Sequence, residues 1–377
     1  MMAPHAGLER RVVAALEATP PRIPVVLGGC GTGRTTALHA LADRLGRDHC
    51  QYIDIERAAS TPERFLRAVT TSSPFPPAAA GDEPRSARDA FDRTLAYLSS
   101  DPGTHRPATF LLDEVLELRT FESFPGLRHV LRELVQSLTE SGNRFVLTSR
   151  YVARAHRLLR DGAPRFEVIH LPALSPAEVA GMLPPMGEAA AEEREFLSRT
   201  IHALADGRAS YVHAISEATA SVGGRGGDPI SALTALLTSD GALASWCAYR
   251  YELRLHRARG YGALKAILEI LAEEEPLTLT EIAQRLHRTP GSTKDYLSWL
   301  EDVDLVVARQ KRYSFADPLL RLWVRLHCHP VPPGVDEVAR EVQSYALARL
   351  PHAAEPSLAM VAAGTGERKG WGIIEID

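Results

Sequence analysis

Cysteine is scarce in this chain of 377 residues: Cys30, Cys50, Cys247 and Cys328 lie far apart. No pair has the short spacing of a zinc site or of a disulfide framework, so neither is expected, and a reducing cytoplasm is the expected compartment. Long apolar runs are missing too. No stretch of about 18 apolar residues occurs. The first residues, MMAPHAGLERR, carry charge where an export leader needs an apolar core. Neither membrane spanning nor secretion is expected. Histidines such as His202, His213 and His256 lack companions at metal-ligand spacing. A large charge of either sign is also absent: the net charge of −4 excludes a protein coated in basic residues, so contact with nucleic acid must be local.

What is present is the composition of a globular protein of two or three domains. Leu8 to Ala18 spaces its apolar residues as an amphipathic helix, broken by PPR. Ile23 to Leu27, IPVVL, is a continuous aliphatic run, the mark of a buried parallel strand, and it enters a glycine-rich loop directly. The helix after the loop stops at Gly46. Further strands are expected at Gln51–Ile55, in ATFLLDE ending at Glu114, in RFVLTSR ending at Arg150, and at Phe166–Pro172. A proline-rich surface loop is expected at Pro74–Pro84.

Strands alternating with helices predict an α/β fold: a parallel sheet flanked by helices on both faces, with its functional groups at the carboxyl ends of the strands. From Ser175 the pattern is helical, with a glycine joint at Gly223–Pro229, which predicts a helical lid. From Gly262 three helices and a hairpin, LVVARQKRYSF, predict a winged helix. The expected division is a core over residues 1–172, a lid over 173–255, a winged helix over 256–329, and a C-terminal helix and tail over 330–377.

The loop GGCGTGRTT carries the chemistry. The pattern G-x-x-x-x-G-K-[ST] between strand and helix wraps phosphates in backbone N–H groups, aided by the helix dipole. Gly28, Gly33 and Thr35 match it, and Arg34 stands where lysine is expected. Gly28, Gly29, Cys30, Gly31, Thr32, Gly33, Arg34, Thr35 and Thr36 are the expected phosphate-binding residues. Thr35 is expected to place its hydroxyl on Mg²⁺, Asp113 to hold that ion through water, and Glu114 to polarise an attacking water. Arginine keeps the charge but is planar and differently aimed from an ammonium, so binding is expected to survive better than fast turnover.

With these motifs, the segments GLERR, FVLTSR, LPALSPAEV, ADGRASYVHAI and YSFADPLLRLWVR resemble the AAA+ and related signal-transduction P-loop ATPases, in particular the archaeal-type ATPases with a C-terminal winged helix. The resemblance runs from Gly7 to about Leu326. It implies ATP or ADP with Mg²⁺ as ligands, Thr148 or Arg150 as sensor of the γ-phosphate, and Arg208 as a second sensor in the lid. It implies that GLERR lines the adenine pocket. Arg165 resembles the arginine finger that one subunit inserts into its neighbour's site, which implies a homo-oligomer. Arg34 departs from the family's lysine, which stabilises the charge moving during phosphoryl transfer.

In the winged-helix segment Lys294 falls on the third helix and Arg309, Lys311 and Arg312 on the wing, where such folds touch the major groove and backbone phosphates. Tyr296, Trp299 and Leu300 read as core. Asp295, Glu301, Asp302 and Asp304 crowd the same helix and its end, and acids repel phosphate. The partner therefore stays open between duplex DNA and a protein. Two functional readings follow: a nucleotide-controlled switch with slow Mg²⁺-dependent ATP hydrolysis, or a non-catalytic scaffold that holds ATP or ADP. A DNA-binding regulator with an inert loop fits less well, because the Mg²⁺-holding residues are all present.

Overall fold

In the computed structural model, which describes residues 6–75, 82–101, 107–160, 165–184, 191–223 and 227–350, the glycine loop joins the most deeply buried part of a parallel sheet to a helix. Helix α1 (Ala6–Glu17) precedes β1 (Ile23–Leu27), all five residues of which are buried. Helix α2 (Arg34–Leu45) starts after Gly33, at φ 96°, and stops at Gly46, at φ 86°. Both positions lie in the left-handed region that glycine enters without steric cost. β2 (Cys50–Asp54), α3 (Ile55–Ala58), α4 (Pro62–Thr71) and α5 (Ala87–Ser99) follow, with the Thr61 and Ser86 hydroxyls capping α4 and α5. Then come β3 (Thr109–Asp113), a 3₁₀ segment (Val115–Ser123), α6 (Val130–Glu140), β4 (Arg144–Ser149), α7 (Val152–Arg160) and β5 (Phe166–His170).

The strand order is β2-β3-β4-β1-β5, with every pair parallel. Side chains alternate between the two faces. Val25 and Leu27 face the larger core with Leu112, Leu134 and Leu147, while Val26 faces Leu8, Val12, Leu38 and Val146 beneath α1 and α2. Both faces are covered, which is why the central strands read as unbroken aliphatic runs. Leu27 pairs with Ser149, and Asp54 with Asp113, so the strands end along one edge and deliver Asp113, Thr148 and the glycine loop to one place.

The remaining described elements are largely helical. α8 (Pro176–Met182) opens with a Ser175–Glu178 capping box. α9 (Ala191–Ala205), α10 (Ala209–Gly223), α11 (Pro229–Leu237) and α12 (Ala242–Arg257) follow. Then α13 (Tyr261–Glu273), β6 (Leu277–Thr278), α14 (Leu279–Arg285), α15 (Pro290–Asp302), β7 (Val306–Arg309) and β8 (Arg312–Phe315) form three helices and a small antiparallel sheet of order β6-β8-β7. The hairpin turns on Gln310 and Lys311, at φ 50° and 63°, the backbone that suits the right-handed twist of a two-residue turn. α16 (Pro318–His327) and α17 (Val335–Arg349) close the described chain; Tyr345 on α17 donates to the Leu204 carbonyl at 3.0 Å.

The expected strands match those observed to within two residues at each end. The pattern reading passed over α3, α4 and α5, and over the two-residue strand β6. Part of the expected loop at Pro74–Pro84 and part of the joint at Gly223–Pro229 lie outside the described residues, as does the tail from residue 351. Among the described residues no helix is long and apolar enough to cross a membrane.

Asp317 ties the last part of the fold to the rest. Its buried carboxylate accepts the N–H groups of Leu319 and Leu320 at the start of α16 and the Tyr211 hydroxyl from α10 at 2.8 Å, and it faces Arg208 at 3.6 Å. Burial pushes its pKa up, but Arg208 and these hydrogen bonds outweigh that and hold it below the usual value. Asp317→Ala leaves Arg208 and the Tyr211 hydroxyl without this partner. It is expected to cost roughly 3–5 kcal/mol, read from urea unfolding.

Candidate functional site

The glycine loop is held by its carbonyl groups. Arg34 donates through Nη1 to the Gly28 and Gly29 carbonyls, Arg208 donates to the Cys30 carbonyl at 2.9 Å, and the Ser210 N–H donates to the Gly31 carbonyl at 3.0 Å. Each trans peptide points its N–H away from its own C=O, so four tethered carbonyls fix the direction of the four N–H groups that follow them. The first bond within α2 runs from the Ala37 N–H to the Gly33 carbonyl. The N–H groups of Arg34, Thr35 and Thr36 therefore have no acceptor inside the helix. Together with the dipole this is an anion-binding end.

Beside it, the Thr35 hydroxyl donates to Asp113 Oδ2 at 2.7 Å, and the Tyr52 hydroxyl donates to the same oxygen at 2.9 Å. Thr148 donates to the other carboxylate oxygen, and its own hydroxyl accepts the Glu114 N–H at 3.0 Å. Burial first, then the Asp113 charge, raises the pKa of the Tyr52 phenol and keeps it a donor. A threonine hydroxyl and a carboxylate next to a cage of N–H groups are hard oxygen ligands in the arrangement suited to Mg²⁺ and phosphate, so the residues fit that pair of ligands.

Glu114 follows Asp113 with φ 57°, a left-handed backbone that non-glycine residues adopt only when their surroundings impose it. That backbone turns the side chain back under the loop. Its Oε1 meets Arg34 Nη2 at 2.5 Å, and its Oε2 accepts the Arg150 N–H at 3.0 Å and lies 3.2 Å from Arg150 Nε. Glu114 and Arg34 are both almost fully buried, at 5% and 7% exposure. Burial pushes the carboxyl up, and the two guanidinium groups more than reverse this, bringing it down to about 2. Arg150 continues to Glu56 and Glu117, and Arg257 from α12 joins Glu117 and the Tyr151 hydroxyl.

The structure thus brings together Gly28–Thr36, Asp113, Glu114, Thr148, Arg150 and Arg208. Arg165 is elsewhere. It lies at the amino ends of β1 and β5, across the sheet from the loop, where its guanidinium donates to the Thr139 and Ser141 carbonyls at the end of α6. Of GLERR, Leu8 packs into the core beneath α1 and α2. Lys294, Arg309, Lys311 and Arg312 are exposed on α15 and the hairpin, with Arg312 donating to the Pro276 carbonyl at 3.1 Å. Tyr52, Glu56, Arg250, Arg254 and Asp304 also belong to this neighbourhood and were missed in the sequence. The i, i+4 spacing of Arg250 and Arg254 on an amphipathic helix was the one available signal.

Comparison with solved structures gives a Walker-type ATPase of Pyrococcus abyssi at TM-score 0.63 and 19% identity, covering 86% of this chain and 96% of that one. The fold is that of a Walker-type ATPase carrying a winged helix. Lower similarities are to the Orc1 protein of Aeropyrum pernix in complex with DNA (TM-score 0.44, 17% identity, 93% and 95% covered) and to Cdc6p of Pyrobaculum aerophilum (0.40, 13%, 93% and 96%). Residues 263–307 match the family model described as winged helix-turn-helix DNA-binding. No curated protein matches the chain. In this ATPase fold the basic side chain of the glycine loop turns inward to Glu114.

A carboxylate held below its ordinary value stabilises the folded state above pH 4.5 and loses that contribution as pH falls towards about 2. Glu114→Gln is therefore expected to be less stable than the parent at pH 7, with the gap narrowing between pH 4.5 and 2. Urea midpoints at pH 7, 4 and 3 measure this.

Proposed function

We propose that the chain is an ATP-binding, AAA+-like switch with slow Mg²⁺-dependent ATPase activity, whose nucleotide state controls what its winged helix contacts. The observation that carries this reading is the 2.7 Å contact between Thr35 and Asp113 beside the tethered loop. Gly28–Thr36 hold the phosphates of ATP or ADP, and Thr35 and Asp113 hold Mg²⁺, which supplies charge neutralisation to the transferring phosphoryl group. Phosphate oxygens compete with Glu114 for Arg34, and the released carboxylate orients water. Thr148 keeps Asp113 aligned, and Arg150 and Arg208 sense the phosphate end. Residues 1–172 serve as the core, 173–255 as the lid, 256–329 as the winged helix, and 330–377 as the C-terminal helix and tail. In an oligomer Arg165 is the group to test for reach into a neighbouring subunit.

Duplex DNA is the partner proposed for the winged helix. The family-model match and the exposed Lys294, Arg309, Lys311 and Arg312 support it. A protein partner is the alternative, favoured by the exposed Asp295 beside Lys294; Asp302 and Asp304, at the other end of α15, are turned to α7 and to the glycine loop.

A second reading, a scaffold that binds nucleotide without cleaving it, is favoured by the double engagement of Glu114. A carboxylate paired on both oxygens and held near pKa 2 is a weak base.

Steady-state ATP turnover with Mg²⁺, run beside direct binding of ATP and ADP, separates the two. The switch predicts turnover that falls by roughly 100-fold or more in Glu114→Gln and rises in Arg34→Lys. Tight binding with no turnover in the parent selects the scaffold. For DNA, replacing Arg309, Lys311 and Arg312 together by alanine is expected to reduce the salt dependence of binding, log K against log salt, by a slope of about 3. An unchanged slope removes the wing from the interface.

A further inference from the structure

The mouth of the glycine loop is covered by residues that come from far along the chain. Arg208 Nη1, which donates to the Cys30 carbonyl, lies 2.9 Å from where a Cβ on Gly29 would stand; Asp304 Oδ2, from the turn after α15, lies 3.3 Å from the same point. Arg250 Nη1 lies 3.4 Å from the corresponding point on Gly31. Arg254, one turn further along α12 and only 2% exposed, donates to the Asp304 carbonyl at 2.9 Å. Arg208 also reaches the Ala316 carbonyl, so the winged helix is tied down at two points.

The charge balance at this mouth is uneven. Arg34 is neutralised by Glu114, but Arg250 Nη1 is buried and has no hydrogen-bond partner among the described residues. The Arg250 guanidinium is held in place over the rings of Tyr211 and Trp246, at 5.5 and 6.0 Å. A buried guanidinium nitrogen without an acceptor, against a loop whose N–H groups suit an anion, marks space for an acceptor that the chain does not supply. At the same mouth, beside Gly29, stands the half-buried Asp304 carboxylate. Burial lifts its pKa despite Arg254, Arg208 and Arg34, so it is poorly paid for where it stands.

We propose that Asp304 is a built-in anion at the phosphate site, and that nucleotide phosphates displace it, take up Arg250 and Arg254, and undock the winged helix from the loop. This rests on the nucleotide reading and adds its direction: binding opens the contact between winged helix and core. The physical cause is like-charge repulsion. A triphosphate beside Asp304 would place two anions in one poorly solvated space, and such juxtapositions cost several kcal/mol. Asp304 is also placed to transmit the change, because it follows α15 by two residues, and Asp302 at the end of that helix pairs with Arg154 and Arg157 on α7 of the core. Loss of the Asp304 anchor weakens the seat of the helix that would read DNA.

The test is calorimetric titration of the full chain with Mg²⁺-ATP, for the parent, Asp304→Asn and Arg250→Ala, together with hydrogen exchange over residues 303–309 with and without ATP. Asp304 stands at φ 55°, which asparagine and glycine tolerate, so Asp304→Gly is a second variant, and a thermal melt verifies that each folds. The expected result is ATP binding about tenfold tighter in both Asp304 variants and about tenfold weaker in Arg250→Ala, a coupling of ordinary size between two sites. ATP is expected to speed exchange at 303–309 in the parent. Binding that appears only when Asp304 is replaced would also support the proposal. Equal affinity in parent and Asp304 variants, with exchange at 303–309 unchanged by ATP, overturns it and leaves the nucleotide reading standing. No binding by the parent or any variant overturns both.

Discussion

Burial of Glu114 is the constraint around which the site is arranged. A carboxylate removed from water must be paired and hydrogen-bonded on both oxygens, or it costs several kcal/mol. Here one oxygen takes Arg34 from the first turn of α2, and the other takes the N–H and guanidinium of Arg150 from the end of β4. The strained backbone at Glu114 persists because these partners hold it. One side chain thus locks the glycine loop, the central strand and the strand beside it into a single register. Arg34, the departure from the usual lysine, takes part in this lock: its fork bonds loop carbonyls with one nitrogen and Glu114 with the other, which a single ammonium point charge would not reproduce with the same geometry.

The second layer is the way distant segments converge on the loop. Arg208 bridges the loop carbonyl of Cys30 to the Ala316 carbonyl and the Asp317 carboxylate, and α12 lays Arg250, Arg254 and Arg257 along the core. Arg208 just before α10, residues of α12 and the segment around Asp304–Asp317 therefore share the charges that surround the glycine loop. The same arrangement presents Lys294 and the hairpin basic residues to solvent while the far end of α15 rests on α7, so only part of the helix faces outward.

Most of the fold was legible in the residues. IPVVL and FLLD read as buried strands because both faces of a parallel sheet are covered and the aliphatic run is unbroken. The position of the glycine loop between β1 and α2 was legible because its glycines follow an aliphatic run directly, and Asp113 and Glu114 because they end another such run. The helices between β2 and β3 were passed over because proline-rich and polar flanks blurred their period, and β6 is too short for any period to show.

The pattern along the chain determined where strands, helices and the loop lie, because backbone sterics and apolar period act over a few residues. Only the tertiary structure decided which charges meet. Arg34 turns to Glu114, Arg165 caps α6 across the sheet from the loop, and Asp304 comes to rest beside Gly29. Those pairings span tens to hundreds of residues, and they are settled by packing and by the cost of burying charge, neither of which leaves a local mark in sequence.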